Sequence, residues 1–280
     1  MLLKEFRNHF NKELSRLFPQ TEIDSFFFML IEKELNLQRI DLVINNDISI
    51  SKEKFEHLYN TLSRLKTQEP IQYILGESAF YGLSFKVTKD TLIPRPETEE
   101  LVEWILSDYD YNDKISILEI GTGSGCIPIT LAKKLPNASV TSIDISAAAI
   151  AIAKENSILN NVSINFIEQD ILNTSKLPQQ YDIIVSNPPY VRELEKKEIL
   201  PNVLENEPHL ALFVDDNNPL IFYSKIAELA KKYLTKDGVL YFEINQYLGK
   251  QTIEMLTEKG FKSELKKDLF NNDRMTKSLL

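Results

Sequence analysis

The stretch Ile115-Ser-Ile-Leu-Glu119-Ile-Gly121-Thr122-Gly123-Ser124-Gly125-Cys126 decides the fold. A short β-rich run leads directly into three alternate glycines that open a helix. Glycines at such a turn let the backbone bend tightly and let a ligand approach where a Cβ would collide. Pro128 falls in the first turn of the helix, where its missing N–H costs nothing. The spacing is G-x-G-x-G, with Cys126 where the dinucleotide fingerprint has its third glycine. The loop alone therefore leaves two ligands open, a dinucleotide and S-adenosylmethionine. Cys126, at a helix start, is read as a small packed residue rather than a reactive thiol.

Outward from this turn, β-rich runs alternate with helical stretches: Ile115 to Ile120, Val140 to Ile145, Ile164 to Ile167, Tyr181 to Ser186 and Val239 to Ile244. The alternation predicts an α/β fold, a mostly parallel sheet with helices on both faces. Lys262 to Lys266 and Met275 to Leu280 are two further candidates, too weakly patterned to order. Asp144 ends the second run nineteen residues beyond Gly125, where a carboxylate can accept hydrogen bonds from both ribose hydroxyls. Asp170 follows the third run, within reach of an adenine edge.

Before this region, from Leu2 to about Leu65, apolar residues recur at three and four, as in Leu14, Leu17 and Phe18, with no glycine. That is the pattern of three or four short amphipathic helices. Pro19 and the pair Asn45-Asn46 interrupt it, and Ser51 restarts it as an N-cap. Residues 69–97 change texture: Pro70-Ile-Gln-Tyr-Ile-Leu-Gly76, then Ser78 to Val87 alternating around Gly82. This predicts a hairpin between two domains, 1–68 and 98–280. Pro94-Arg95-Pro96-Glu97 is extended or turned, and a helix runs from Thr98 through Trp104, whose indole is a packing residue.

Composition bounds the function. The 280 residues carry 32 basic and 41 acidic side chains, a net charge of −9, the wrong sign for a protein held on phosphates. No nucleic-acid partner is expected. The longest early apolar run, Phe26 to Ile31, is too short for a membrane span or a signal h-region. One cysteine and three scattered histidines give neither a disulfide nor a metal site. A cytoplasmic, metal-free monomer is expected, with no membrane association.

The chemistry lies in Asn187-Pro188-Pro189-Tyr190, directly after the apolar run Tyr181 to Ser186, at the end of the sheet where open α/β folds bind ligands. An amide nitrogen is a poor nucleophile because its lone pair is delocalised. The Asn187 side-chain oxygen and the Pro188 carbonyl can each accept one N–H of a substrate –NH₂, aiming its lone pair at an electrophilic carbon. The prolines hold these acceptors rigidly, and Tyr190 offers an aromatic wall to a planar group. Together with the glycine loop, this points to an S-adenosylmethionine-dependent N-methyltransferase, with S-adenosylhomocysteine as product.

Four motifs in this order, Pro70 to Gly76, Ile93-Pro-Arg-Pro-Glu-Thr-Glu99, the glycine loop and the Asn-Pro-Pro-Tyr tetrad, closely resemble those of the HemK/PrmC family. These are the protein-(glutamine-N5) methyltransferases that modify the Gly-Gly-Gln motif of peptide chain release factors. The resemblance implies an N-terminal helical domain that helps recognise the release factor, a hairpin linker, and a Rossmann-like class I methyltransferase domain. That domain would have seven strands, the last antiparallel. It further implies that Glu119, Gly121 to Gly125, Asp144, Asp170, Ile171 and Asn187 contact the cofactor. Asn187 to Tyr190 would hold the glutamine, with Arg95 and Glu97 near the pocket. The tetrad alone is shared with adenine-N6 methyltransferases, the alternative activity. Three places depart from the family pattern: Asn206 before Glu207-Pro208, the run Asp215-Asp216-Asn217-Asn218 where glycines are usual, and Asn245 in place of the glycine of Glu-x-Gly.

Overall fold

The computed structural model describes residues 2–45 and 47–280; Asn46 of the interrupting pair lies outside them. Two compact units are present. The first comprises the chain up to Gly76 together with Pro201–Asn206, and the second comprises Glu77–Leu200 and Glu207–Leu280.

The first unit contains α1 (Leu3–Leu14), α2 (Gln20–Leu35), α3 (Arg39–Ile44), α4 (Lys52–Lys66) and the short α5 (Ile71–Leu75). Leu3, Phe6, Phe10 and Leu14 line one face of α1 and meet Ile23, Phe27, Leu30 and Ile31 of α2 and Leu58, Leu62 and Leu65 of α4. Ser51 caps α4, its hydroxyl accepting the Lys54 N–H at 3.2 Å. Residues 71–75, read from sequence as part of the hairpin, are a helical turn instead. Pro70 starts the turn and Gly76 ends it at φ +72°. Its Ile71 and Tyr73 are buried.

The second unit begins with the hairpin β1 (Glu77–Phe80) and β2 (Leu83–Lys86), followed by α6 (Pro96–Asp108). Then come β3 (Ser116–Ile120), α7 (Cys126–Lys134), β4 (Ser139–Asp144), α8 (Ala147–Leu159), β5 (Asn165–Glu168) and β6 (Tyr181–Ser186). The strand pair β7 (Val191–Arg192) and β8 (Phe213–Val214) and the helix α10 (His209–Leu212) belong to this unit, whereas α9 (Pro201–Asn206), between the two strands in sequence, belongs to the first. The chain closes with α11 (Ile221–Tyr233), β9 (Leu234–Glu243), α12 (Gly249–Glu258), β10 (Lys262–Lys267) and β11 (Asp273–Leu279). Seven strands pair in the order β10-β11-β9-β6-β3-β4-β5. All neighbours from β9 to β5 are parallel, and β11 runs antiparallel to both β9 and β10.

Both faces of this sheet are covered, which is why its central strands read as continuous apolar runs rather than alternating ones. Leu118, Ile184, Leu240 and Phe242 turn to one side, against Tyr223, Ile226 and Ala230 of α11. Ile117, Ile183, Val185 and Tyr241 turn to the other, against α6, α7 and the hairpin phenylalanines Phe80 and Phe85. Trp104 is packed there, edge-on to Tyr241.

The hairpin therefore belongs to the second unit, with the division after Gly76, not at the expected boundaries of 68 and 97. Asn156 of α8 and Asn160, which caps that helix, account for this. Asn156, fully buried, donates to the carbonyls of Lys86 and Ser124, both at 2.9 Å, and accepts the Lys86 N–H at 2.7 Å. Asn160 donates to the Ser84 carbonyl at 3.0 Å. One helix thus holds both the hairpin and the glycine loop. Replacing Asn156 by Ala strips three backbone groups of their partner, one buried at Ser124 and two part-buried at Lys86. A loss of about 3 kcal/mol is expected in chemical denaturation; an unchanged midpoint would show that the hairpin is held by its phenylalanines alone.

Candidate active site

The chain passes outward through β3, β4 and β5, then returns to place β6 on the other side of β3. At such a reversal the loops leaving adjacent strand ends part and leave a crevice. The glycine loop leaves β3 and the Asn-Pro-Pro-Tyr tetrad leaves β6. The two ends are joined by Ser186, whose hydroxyl donates to the Ile120 carbonyl at 2.6 Å. A cavity of about 340 Å³ opens there, lined by Gly121 to Ser124, Asp144, Asp170, Ile171 and Asn187 to Pro189, with Arg95 and Thr98 on its other wall.

Gly121, Gly123 and Gly125 all lie in the left-handed region, at φ +94°, +52° and +83°. At Gly125 the requirement is also steric, since a Cβ would stand 2.8 Å from Ile129 Cδ1 and 3.1 Å from Ala153 Cβ. Gly125 therefore lets α7 approach α8 and does not itself line the cavity. Gly121 donates to the Ile143 carbonyl at 2.8 Å and Gly123 to Asp144 Oδ2 at 2.9 Å.

The other Asp144 oxygen accepts the Ser146 N–H at 2.8 Å. Each carboxylate oxygen thus keeps a lone pair for a neighbouring diol. Asp170 Oδ1 accepts the Leu172 N–H at 2.8 Å and Oδ2 the Asn173 amide at 2.6 Å, a turn that presents Ile171 to the cavity. A fixed diol acceptor, glycines without side chains and an apolar slot at Ile171 fit the ribose, amino-acid and adenine parts of S-adenosylmethionine.

Glu119, expected at the cofactor, lies behind the loop instead. It is fully buried, and its Oε2 accepts the Ser142 hydroxyl at 2.6 Å, which in turn meets Thr122 Oγ1 at 2.6 Å. Burial pushes its carboxyl up to about 8, so it is mostly neutral at pH 7. Burial also pushes the Cys126 thiol up to about 12, against any nucleophilic role.

Around the tetrad the structure reveals partners that sequence reasoning passed over. Asn187 Nδ2 donates to Thr98 Oγ1 at 3.2 Å, and Thr98 donates to Glu243 Oε2 at 2.6 Å. The Tyr190 hydroxyl reaches Glu243 Oε1 at 3.1 Å. Tyr190 is thereby turned into the protein rather than forming a cavity wall, because the buried carboxylate at the end of β9 needs a second donor. Burial, and next the nearby charge of Glu243, hold its phenol far above the ordinary tyrosine range, so it is no general base. Arg95 is pinned by the buried Glu207 at 2.5 Å, whereas Glu97 stays outside the cavity. Thr98 stood inside the quoted Pro-Arg-Pro-Glu-Thr motif and Glu243 inside Glu-Ile-Asn. A signal was therefore present, but nothing in the spacing paired them.

The departures from the family pattern also find their reasons. Asn245, 4% exposed, donates to the Tyr190 carbonyl and to Glu195 Oε2, both at 2.9 Å, and accepts the Tyr247 N–H at 2.9 Å. Glu195 in turn accepts from the Arg192 backbone at 2.8 Å and guanidinium at 2.6 Å. The charged segment Glu193–Glu198 forms a 3₁₀ helix, and through Glu195 it is tied to the tetrad. In the run Asp215 to Asn218 the Asp215 carboxylate accepts the Asn217 backbone and side-chain N–H groups, closing the loop with side chains instead of glycines. Asn206 ends α9 and donates to the Asn202 carbonyl at 2.9 Å. Among the described residues no group of metal-ligating side chains and no helix long and apolar enough to cross a membrane is present.

With this geometry in hand, comparison with known proteins is informative. A family model described as Methyltransferase small domain matches residues 98–212, and one described as PrmC N-terminal domain matches residues 5–76. The release factor glutamine methyltransferase of Flavobacterium psychrophilum is 56% identical over 284 residues, spanning 99% of each chain. That of Bacteroides thetaiotaomicron is 42% identical over 269 residues, 95% of this chain and 96% of the other. A solved methyltransferase structure from Pyrococcus furiosus shares the fold at a TM-score of 0.52 and 18% identity, over 78% of this chain and 97% of that one. Identity of this degree along the whole length is decisive: the chain belongs to the release factor glutamine methyltransferase family.

Proposed function

We propose that this protein transfers a methyl group from S-adenosylmethionine to the side-chain amide nitrogen of the glutamine in the Gly-Gly-Gln motif of peptide chain release factors. The observation that carries this reading is that Asn187 and Pro188 share one cavity with the glycine loop and Asp144. When bound, the cofactor supplies an electrophilic methyl carbon on a sulfonium sulfur.

Gly121 to Ser124 leave room for its amino-acid part, Asp144 accepts its ribose hydroxyls, and Asp170 and Ile171 border its adenine. Asn187 Oδ1 and the Pro188 carbonyl accept the two N–H groups of the substrate amide. This aims the nitrogen and stabilises the positive charge that develops on it. In the transfer these residues would hold the amide nitrogen while it takes up the methyl group and gives up one of its protons to water. Pro189 stiffens the turn, and Tyr190 acts by anchoring the tetrad. Arg95, held by Glu207, borders the entrance used by the protein substrate.

The N-terminal helices, within residues 1–68, serve in recognition of the release factor. The enzyme works as a cytoplasmic monomer, and its net charge of −9 argues against nucleic acid as acceptor.

The direct test is methyl transfer from labelled S-adenosylmethionine to purified release factor, beside a Gly-Gly-Ala variant of the factor and bare DNA. Label is expected on the wild-type factor alone; label on DNA would establish an adenine methyltransferase. Asn187→Ala should bind cofactor with unchanged affinity yet lose roughly a hundredfold or more in kcat. Asp144→Ala should instead weaken cofactor binding by about tenfold or more in calorimetry, the cost of a lost charged hydrogen bond. A reversed pattern would mean that the two roles are exchanged.

A further inference from the structure

A side-chain amide is nearly symmetric in shape, and its two ends differ only in whether they donate or accept. For Asn187 the difference decides everything. Its oxygen can receive an N–H of the substrate –NH₂, whereas its own –NH₂ would oppose that group donor against donor. Something must therefore hold the amide in one of its two orientations.

The hydrogen bonds behind it do so by elimination. Glu243, 1% exposed at the end of β9, accepts from two hydroxyls, Thr98 at 2.6 Å and Tyr190 at 3.1 Å. A carboxylate has no proton to give, so the single hydroxyl proton of Thr98 is committed to it. The Thr98 oxygen then faces Asn187 with lone pairs only, and only the –NH₂ end of the amide can satisfy it, at 3.2 Å. Asn187 Oδ1 is left turned away from Thr98, and no protein donor takes it up among the described residues.

The surroundings keep Glu243 in place. The Tyr223 hydroxyl donates to its backbone carbonyl at 3.3 Å, and the positive charge of Arg274 lies nearby, itself held by the buried Asp268 at 3.1 Å. The charge of Glu97 opposes it.

We propose that Glu243 and Thr98 are positioning residues for methyl transfer, a proton-ordered relay that fixes which end of the Asn187 amide faces the acceptor nitrogen. The inference rests on the methyl-transfer reading above. Thr98 borders the cavity and Glu243 lies behind it, and the relay acts on the acceptor nitrogen through Asn187 and, by the second carboxylate oxygen, through Tyr190. Its ordering power depends on Glu243 being ionised. Burial raises that carboxyl above the ordinary glutamate range, and its protonation as pH falls gives Glu243 a proton to donate and frees the hydroxyl of Thr98.

The test compares wild type with Thr98→Val, Thr98→Ser and Glu243→Gln, measuring kcat and KM for release factor, cofactor affinity by calorimetry, and the pH profile of kcat. Thr98→Val is nearly isosteric, and it should lower kcat by roughly tenfold to a hundredfold with cofactor affinity unchanged. Thr98→Ser, which restores the hydroxyl, should recover most of the loss. The acid limb of kcat in wild type should be absent in Glu243→Gln, which cannot titrate. A merely structural pin would lower thermal stability in Thr98→Val and Thr98→Ser alike and leave the acid limb in place, and that result overturns the proposal. So does a Thr98→Val enzyme whose kcat stays within about twofold of wild type.

The side-chain amide signal of Asn187, assigned with Asn187→Ala in a nitrogen-15 spectrum, gives a readout independent of turnover. Slow exchange in wild type that is lost in Thr98→Val supports the ordering, and equal exchange in both refutes it. A wild-type chain that binds cofactor but labels no factor overturns the functional reading, and with it the catalytic role of the relay, while the spectrum still reports whether the amide is ordered.

Discussion

The reversal of strand order beside β3 is the constraint on which the site depends. Because β4 and β6 flank β3 on opposite sides, the loops leaving β3 and β6 have no strand between them and diverge into a crevice. The fold does not fill this gap with side chains. Gly121 and Gly123 strip one wall to backbone, and two successive prolines stiffen the other. The Ser186 hydroxyl on the Ile120 carbonyl fixes the separation of the two walls at their base. The glycine loop and the tetrad are thus two sides of one topological feature, lining a single cavity.

Behind each wall stands a buried carboxyl, and the two are handled oppositely. Glu119 lies behind the glycine loop with burial as its dominant influence, and it is mostly neutral at pH 7. It props Ser142 and Thr122 without placing charge beneath the cofactor. Glu243 lies behind the tetrad with two hydroxyl donors and the charge of Arg274 in reach. Glu119 loses a charge that would only cost desolvation, whereas Glu243 is given the hydroxyl donors and the nearby cation that a buried carboxylate needs.

The places where the chain departs from its family are repaired locally. Family glycines serve turns, but Asp215 closes its turn through its own carboxylate, and Asn245 uses its amide to join the tetrad to Glu195. In both cases a side-chain hydrogen bond replaces the backbone freedom of glycine. Arg192, Glu195, Asn245 and the Tyr190 carbonyl thereby form one connected set.

The sequence by itself determined the parallel core, the glycine turn, the tetrad and the helical N-terminal region, because each is written in residues that are close along the chain. Period, glycine spacing and proline position are local signals, and Asp144, Ile171 and Asn187 all came to the cavity they were assigned to. Tertiary structure alone decided the rest. The helical turn at Ile71–Leu75 yielded to capping by Pro70 and Gly76, and the hairpin joined the second unit through Asn156 and Asn160, some seventy residues away. Glu119 and Tyr190 moved behind the site, and Thr98 and Glu243, 145 residues apart, met beneath Asn187. A hydrogen bond between distant residues leaves no periodicity in the chain, since it depends on which strand ends the sheet brings side by side.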